Sequence, residues 1–107
     1  MTYNELSAII AGDKFTLVDF YATWCGPCQA MHPVLDELQR QYNGNMDIVR
    51  LDVDKNENVM LTRHYRIMSY PTLILFYGGR QVWRDSGFMS LDMLTEVIKR
   101  MERLEVY

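Results

Sequence analysis

The order of apolar periodicities along this chain predicts an α/β fold, a mixed sheet flanked by helices on both faces. Three observations carry that prediction. Helix-like and strand-like patterns follow one another as α β α β α β β α. Two of these passages have the form of βαβ crossovers, the connection that builds parallel sheet. The last two strands are separated by Gly78-Gly79, a hairpin signal that adds an antiparallel edge.

Each element has its own signature. Thr2 is a capping residue ahead of Leu6, Ile9 and Ile10, with Gly12 as the stop of a first helix. Phe15 to Tyr21 is nearly all apolar or aromatic and reads as a buried strand. Met31, Leu35, Leu38 and Tyr42 recur at helical spacing, and Gly44 is placed to end that helix. Pro33 lies inside it and removes an intrahelical hydrogen bond, so a kink is expected there. Met46 to Val53 reads as a second strand, followed by a polar turn over residues 54–58. A short helix marked by Val59, Leu61 and Tyr65 comes next. Thr72 to Tyr77 and Arg80 to Ser86 form the hairpin arms. Ser90 caps a last helix with Leu91, Leu94, Ile98 and Met101 on one face.

At 107 residues the chain is expected to form a single domain over residues 1–107, with no linker, repeat or low-complexity tract to divide it. Hydrophobic residues make up 49% and charged residues 23%, ordinary values for a globular protein. A formal charge of −3 argues against a nucleic-acid-binding face. No run approaches the roughly 18 apolar residues of a membrane span. The first residues lack a basic stretch followed by an apolar one, so no signal peptide is expected and a cytoplasmic address is favoured. A mature fragment beginning at an introduced Met would start in the same way.

The most informative residues are Trp24-Cys25-Gly26-Pro27-Cys28, where the first strand hands over to a helix. Cysteines at i and i+3 in a first helical turn have Cα atoms about 5 Å apart, inside the window that a disulfide requires. They are the two cysteines of the chain. A bridge closing so small a ring restrains the unfolded chain little and is a poor structural staple. A dithiol that opens and closes is the better reading, with inert core thiols as the alternative. A Cys₂His₂ metal set of Cys25, Cys28, His32 and His64 is a rival. Its C-x₂-C-x₃-H spacing does not match the usual two-knuckle arrangement, and His64 falls on another helix. His32 lies one turn past Cys28 on roughly its face, placed to tune that thiol.

Cys25 sits at the helix start, where unpaired N–H groups and the helix dipole favour a thiolate. Cys28, one turn in, is expected to be more buried and less acidic. Cys25 is thus the attacking thiol and Cys28 the resolving one. Asp19 is a carboxylate in the middle of an apolar strand, which is costly unless it is paired or protonated.

The chain resembles the thioredoxin family. The resemblance rests on Val18-Asp19-Phe20-Tyr21-Ala22 ahead of WCGPC, on Pro33 in the following helix, and on Tyr70-Pro71-Thr72 before a buried strand. Gly78-Gly79 and Gly87 add to it. It spans roughly residues 2 to 104 and implies a thioredoxin fold with strand order 2-1-3-4. The family's first strand is apparently absent, which leaves Met46–Val53 as an edge strand unless a native N-terminus precedes Met1. Asp47, Arg50, Asp52 and Asp54 are the charges available to blunt that edge.

The resemblance further implies a dithiol:disulfide oxidoreductase that reduces protein disulfides through Cys25 and Cys28. The activated-cysteine pKa range of about 3.5–7.5 already includes members of this family. The dipeptide Gly26-Pro27 is similar to that of reducing members, whereas a His in the second position accompanies oxidases and isomerases. Asp19 takes a proton-transfer role near Cys28, or a structural role paired with a neighbour. The position facing it is usually Lys in the family and is Arg50 here, which alters the expected pH profile. The Tyr70–Pro71 peptide is implied to be cis, freeing the Tyr70 backbone to pair with an extended substrate. Trp24, Tyr70, Pro71, Phe88 and Met89 are the candidate apolar docking rim, although Phe88 has the alternative of packing under the last helix. Trp24, Gly26, Pro27, Tyr70, Pro71, Gly87 and Phe88 are the candidate substrate-binding residues. No bound cofactor and no metal is implied. The implied partners are a thioredoxin-reductase-like electron donor and disulfide-containing client proteins, with no nucleic acid and no membrane, and the chain is a monomer. An extracytoplasmic reductant with a dedicated client and a non-catalytic docking module are the alternatives.

Overall fold

In the computed structural model, which describes residues 1–106, four strands form one sheet in the order β2-β1-β3-β4. The elements run α1 (Tyr3–Ile10), β1 (Phe15–Tyr21), α2 (Gly26–Tyr42), β2 (Met46–Asp52) and α3 (Val59–His64). Then follow β3 (Thr72–Tyr77), β4 (Arg80–Ser86) and α4 (Leu91–Val106). The expected polar turn after β2 contains a 3₁₀ turn at Asn56–Asn58.

The caps follow the local chemistry. Thr2 and Glu5 close a reciprocal capping box at the start of α1. Ser90 Oγ accepts the Met93 N–H at 3.2 Å, as expected of its cap position. At the end of α2 the left-handed cap is Asn43, with φ +42°, and Gly44 follows at φ +89°. The stop predicted at Gly44 therefore begins one residue earlier, on the side chain type that best tolerates this region after glycine. Pro33 lies within the unbroken helical span of α2.

Strand β1 pairs in parallel with β2 and antiparallel with β3, and β3 pairs antiparallel with β4. The first crossover is thus parallel, as expected, but the second is not. Helix α3 has 6 residues and advances about 9 Å, whereas the 7 residues of β2 span about 23 Å, so this helix does not by itself return the chain as a crossover helix would. The rest of the connection stays at one end of the sheet. Strand β3 therefore starts at the same end where β1 and β2 finish. At the far end Gly78 and Gly79, with φ of +62° and +82°, make the two-residue turn into β4.

Alternation along β1 divides the core. Val18 and Phe20 pack with Leu6, Ile10, Leu51, Leu61, Ile74 and Phe76, beneath α1 and α3. Leu17 packs with Met31, Leu35, Leu38, Leu73, Leu75, Leu94 and Ile98, beneath α2 and α4. Of the apolar residues expected on α1, Leu6 and Ile10 are buried and Ile9 is exposed. No strand lies outside β2 among the described residues, so it is an edge. Its charges are engaged locally: Asp47 with Lys14 at 3.3 Å and Arg50 with Asp36 at 2.7 Å. No helix is long and apolar enough to cross a membrane among the described residues.

Candidate active site

The C-terminal end of β1 delivers the chain into the turn that carries both cysteines. Cys25 is the N-cap of α2, with extended backbone, and Gly26 and Pro27 open the helix. Proline is suited to the first turn because the N–H it lacks has no intrahelical partner there. A Cβ at Gly26 would meet nothing within 4 Å, so space does not demand glycine at this position. Cys25 and Cys28 are joined by a disulfide with their Cα atoms 5.2 Å apart, which agrees with the spacing argument. Cys25 Sγ accepts the backbone N–H of Cys28 at 3.2 Å. That is the contact through which a helix N-terminus stabilises a thiolate. Cys25 is 7% exposed and Cys28 fully buried, the asymmetry expected of an attacking and a resolving thiol.

The start of β3 supplies the other wall. Cys25 Sγ lies 3.4 Å from the Tyr70 carbonyl oxygen. The Tyr70–Pro71 peptide is cis. Gly87, with φ +94°, donates its N–H to the Pro71 carbonyl at 2.8 Å, tying the end of β4 to this loop. Trp24 is 68% exposed and meets Tyr70 edge-on, with ring centroids 5.8 Å apart. Its indole N–H donates to Asp54 Oδ2 at 2.8 Å. Phe88 is half exposed rather than packed under the last helix, so it is available to the rim. Met89 is not: it is buried, and its N–H meets Met31 Sδ at 3.3 Å.

Asp19 is fully buried, and neither carboxylate oxygen has a hydrogen-bond partner among the described residues. Burial pushes its pKa up from 3.8 to about 7, against the opposing field of Arg50. The register places Arg50 opposite Asp19, as the resemblance implies. The guanidinium nevertheless turns to Asp36 on α2, so the direct Asp19–Arg50 pair is absent. His32 packs edge-on against Tyr21 at 5.1 Å, and no hydrogen bond joins it to Cys28. His64 sits between Tyr3 and Tyr65, on α3. Among the described residues no three His, Cys, Asp or Glu side chains gather as a metal-ligand set.

Asp36 was not singled out from the sequence, and Asp54 was read there only as a charge blunting the β2 edge, not as the partner of Trp24. Asp54 lies in a polar turn 30 residues from Trp24, and Asp36 on an exposed helix face. Nothing local distinguishes either from an ordinary solvated acid. Two hollows, of about 330 Å³ between β4 and α4 and about 280 Å³ beside β2, lie away from the cysteines. Disulfide exchange needs no enclosed pocket, because the attack occurs at one sulfur on the rim.

A thioredoxin family model matches residues 1–100. This chain belongs to the thioredoxin family. A thioredoxin of Staphylococcus aureus is 48% identical over 84 residues, which cover 78% of this chain and 79% of that one. Among solved structures, a mutant thioredoxin from Halobacterium salinarum superposes with a TM-score of 0.83 at 36% identity, covering 94% of this chain and 85% of that one. A chain from work on thiol resolution in yeast mitochondrial 1-Cys peroxiredoxin gives a TM-score of 0.82 at 29% identity. It covers 92% of this chain and 90% of that one. With family membership and a bonded Cys25–Cys28 pair, the protein is a thiol–disulfide oxidoreductase of the protein-disulfide reductase type.

Proposed function

We propose that this thioredoxin-family protein reduces disulfides of extended client segments, with Cys25 as nucleophile and Cys28 as resolving thiol. The observation that carries the reading is the asymmetric cysteine pair at the α2 N-terminus, with the Tyr70 backbone beside the outer sulfur. The Cys25 thiolate attacks one client sulfur, forming a mixed disulfide and releasing the other client sulfur as a thiolate. Cys28 then loses its proton and attacks Cys25 Sγ. The Cys25–Cys28 bond forms, the remaining client sulfur leaves, and the client has gained two electrons. Asp19 is the proton acceptor for Cys28, and its unpaired, buried carboxyl titrating at about 7 supports that role. Trp24, Tyr70, Pro71, Gly87 and Phe88 form the surface on which the client lies. A thioredoxin-reductase-like donor returns the pair to the dithiol. We assign the protein a cytoplasmic address and a monomeric state.

The direction of transfer is tested by the equilibrium potential of the Cys25–Cys28 couple, together with dithiol-driven reduction of insulin. The expected couple is more reducing than glutathione, and insulin is reduced catalytically. A potential well above that of glutathione would move the protein to disulfide formation instead.

A further inference from the structure

The pair register puts Arg50 opposite Asp19 on adjacent strands, yet the two side chains do not meet. Asp19 alternates with Leu17 and so faces the layer of α2 and α4. The charged and titratable groups around it can be named by element. Strand β2 supplies Arg50, and α2 supplies Cys28, His32 and Asp36. Its register partner on β3 is Leu73, and α4 turns Leu94, Val97, Ile98 and Met101 inward. Arg50 is therefore the one cation on these elements that the register brings to Asp19. Its guanidinium is bound instead to Asp36 Oδ1 at 2.7 Å.

We propose that Asp36 is a positioning residue: by holding the Arg50 guanidinium on α2, it keeps the buried Asp19 carboxyl without a counterion. Asp36 competes well because of where it stands. Its side chain is 57% exposed and that of Arg50 24%, so the pair forms without stripping either charge of all its water. Pairing with Asp19 would require carrying the guanidinium into the apolar layer, where desolvation opposes the attraction. A contact at the surface is weak, but at the upper end of its range it biases a side chain about fivefold between two orientations. The consequence is electrostatic. An arginine set against the carboxyl would favour its ionised form, whereas an arginine drawn away leaves burial dominant. The raised pKa of Asp19, with Arg50 acting on it only through its field, is consistent with this arrangement.

The functional consequence rests on the role proposed above for Asp19, and the test separates the two. Carbon-detected NMR titration of the Asp19 carboxyl in the oxidised protein reads the effect without thiol ionisation. Asp36→Asn is expected to lower the Asp19 midpoint by up to about 0.7 pH unit, the logarithm of that fivefold bias, as Arg50 becomes free to approach. Asp36→Glu, which keeps the partner, is expected to leave it in place. In an Arg50→Gln background, Asp36→Asn is expected to move it far less. An unmoved or raised midpoint in Asp36→Asn overturns the proposal. Equal falls in both backgrounds also overturn it, since Asp36 would then act by its own charge. If the midpoint moves but the pH profile of mixed-disulfide decay does not, Asp36 still positions Arg50 and the proton-transfer role of Asp19 fails.

Discussion

Cys25 Sγ and the Tyr70 carbonyl oxygen lie 3.4 Å apart although 45 residues separate them in the chain. The contact joins the turn after β1 to the loop before β3. It exists because β3 is antiparallel to β1 and so starts at the end of the sheet where β1 finishes. In the function proposed above, a client strand pairing with the Tyr70 backbone lies within reach of the outer sulfur.

Cys25→Ser is expected to abolish turnover, whereas Cys28→Ser traps the client on Cys25 as a mixed disulfide. The difference follows from the N-cap position of Cys25, whose sulfur accepts the Cys28 N–H, and from the complete burial of Cys28. Mass spectrometry of the reduced protein after brief alkylation at neutral pH checks it. Preferential labelling of Cys28 reverses the assignment.

Tyr70→Ile is expected to change rates with folded protein disulfides while small-molecule dithiol exchange stays within a fewfold. The ring stands edge-on to Trp24 at the rim, and the carbonyl that faces Cys25 belongs to the backbone, which the substitution keeps. Parallel assays on insulin and on a small disulfide measure the difference. Equal losses on both count against a role in client choice.

Asp19→Asn is expected to stabilise the fold at neutral and alkaline pH and to have little effect below about pH 4. The sign follows from the raised pKa. Between 3.8 and about 7 the unfolded chain is ionised while the native carboxyl still holds its proton, so wild-type stability falls as pH rises through this window. Above it, the gap corresponds to on the order of 4 kcal/mol, an upper bound because a buried amide without partners is itself costly. Denaturant midpoints from pH 4 to 8 trace the loss. The same variant is expected to slow mixed-disulfide decay more than the first attack, as rapid-mixing kinetics will read. A variant less stable than wild type, with unchanged decay, makes Asp19 a structural residue.

Gly87→Ala is expected to destabilise the protein by about 1–2 kcal/mol. The cost is conformational, because φ is +94° and an added Cβ would meet no atom within 4 Å. Its N–H holds the Pro71 carbonyl, so client turnover is expected to fall along with the denaturant midpoint. A midpoint equal to wild type shows that the loop relaxes without strain.

Local periodicity carried most of the architecture. The eight elements, the hairpin at Gly78-Gly79, the caps at Thr2 and Ser90 and the cysteine turn are all properties of short segments, set by spacing and residue type. The pairing of Arg50 with Asp36 belongs to another class, as do the indole bond from Trp24 to Asp54 and the burial of Met89. Each joins residues far apart in the chain, through side chains whose composition suits a solvated surface equally well. The direction of β3 was also not legible locally: the pattern predicted a second parallel crossover, whereas the connection after β2 leaves the chain at the same end of the sheet and β3 runs antiparallel. The sequence by itself determined which segments become strands and helices and which two sulfurs meet, because those contacts close within a turn or two of backbone. Only the tertiary structure decided what faces the sulfurs and what leaves Asp19 unpaired, because those depend on the relative placement of elements and on the competition between Asp36 and a buried carboxyl for one guanidinium.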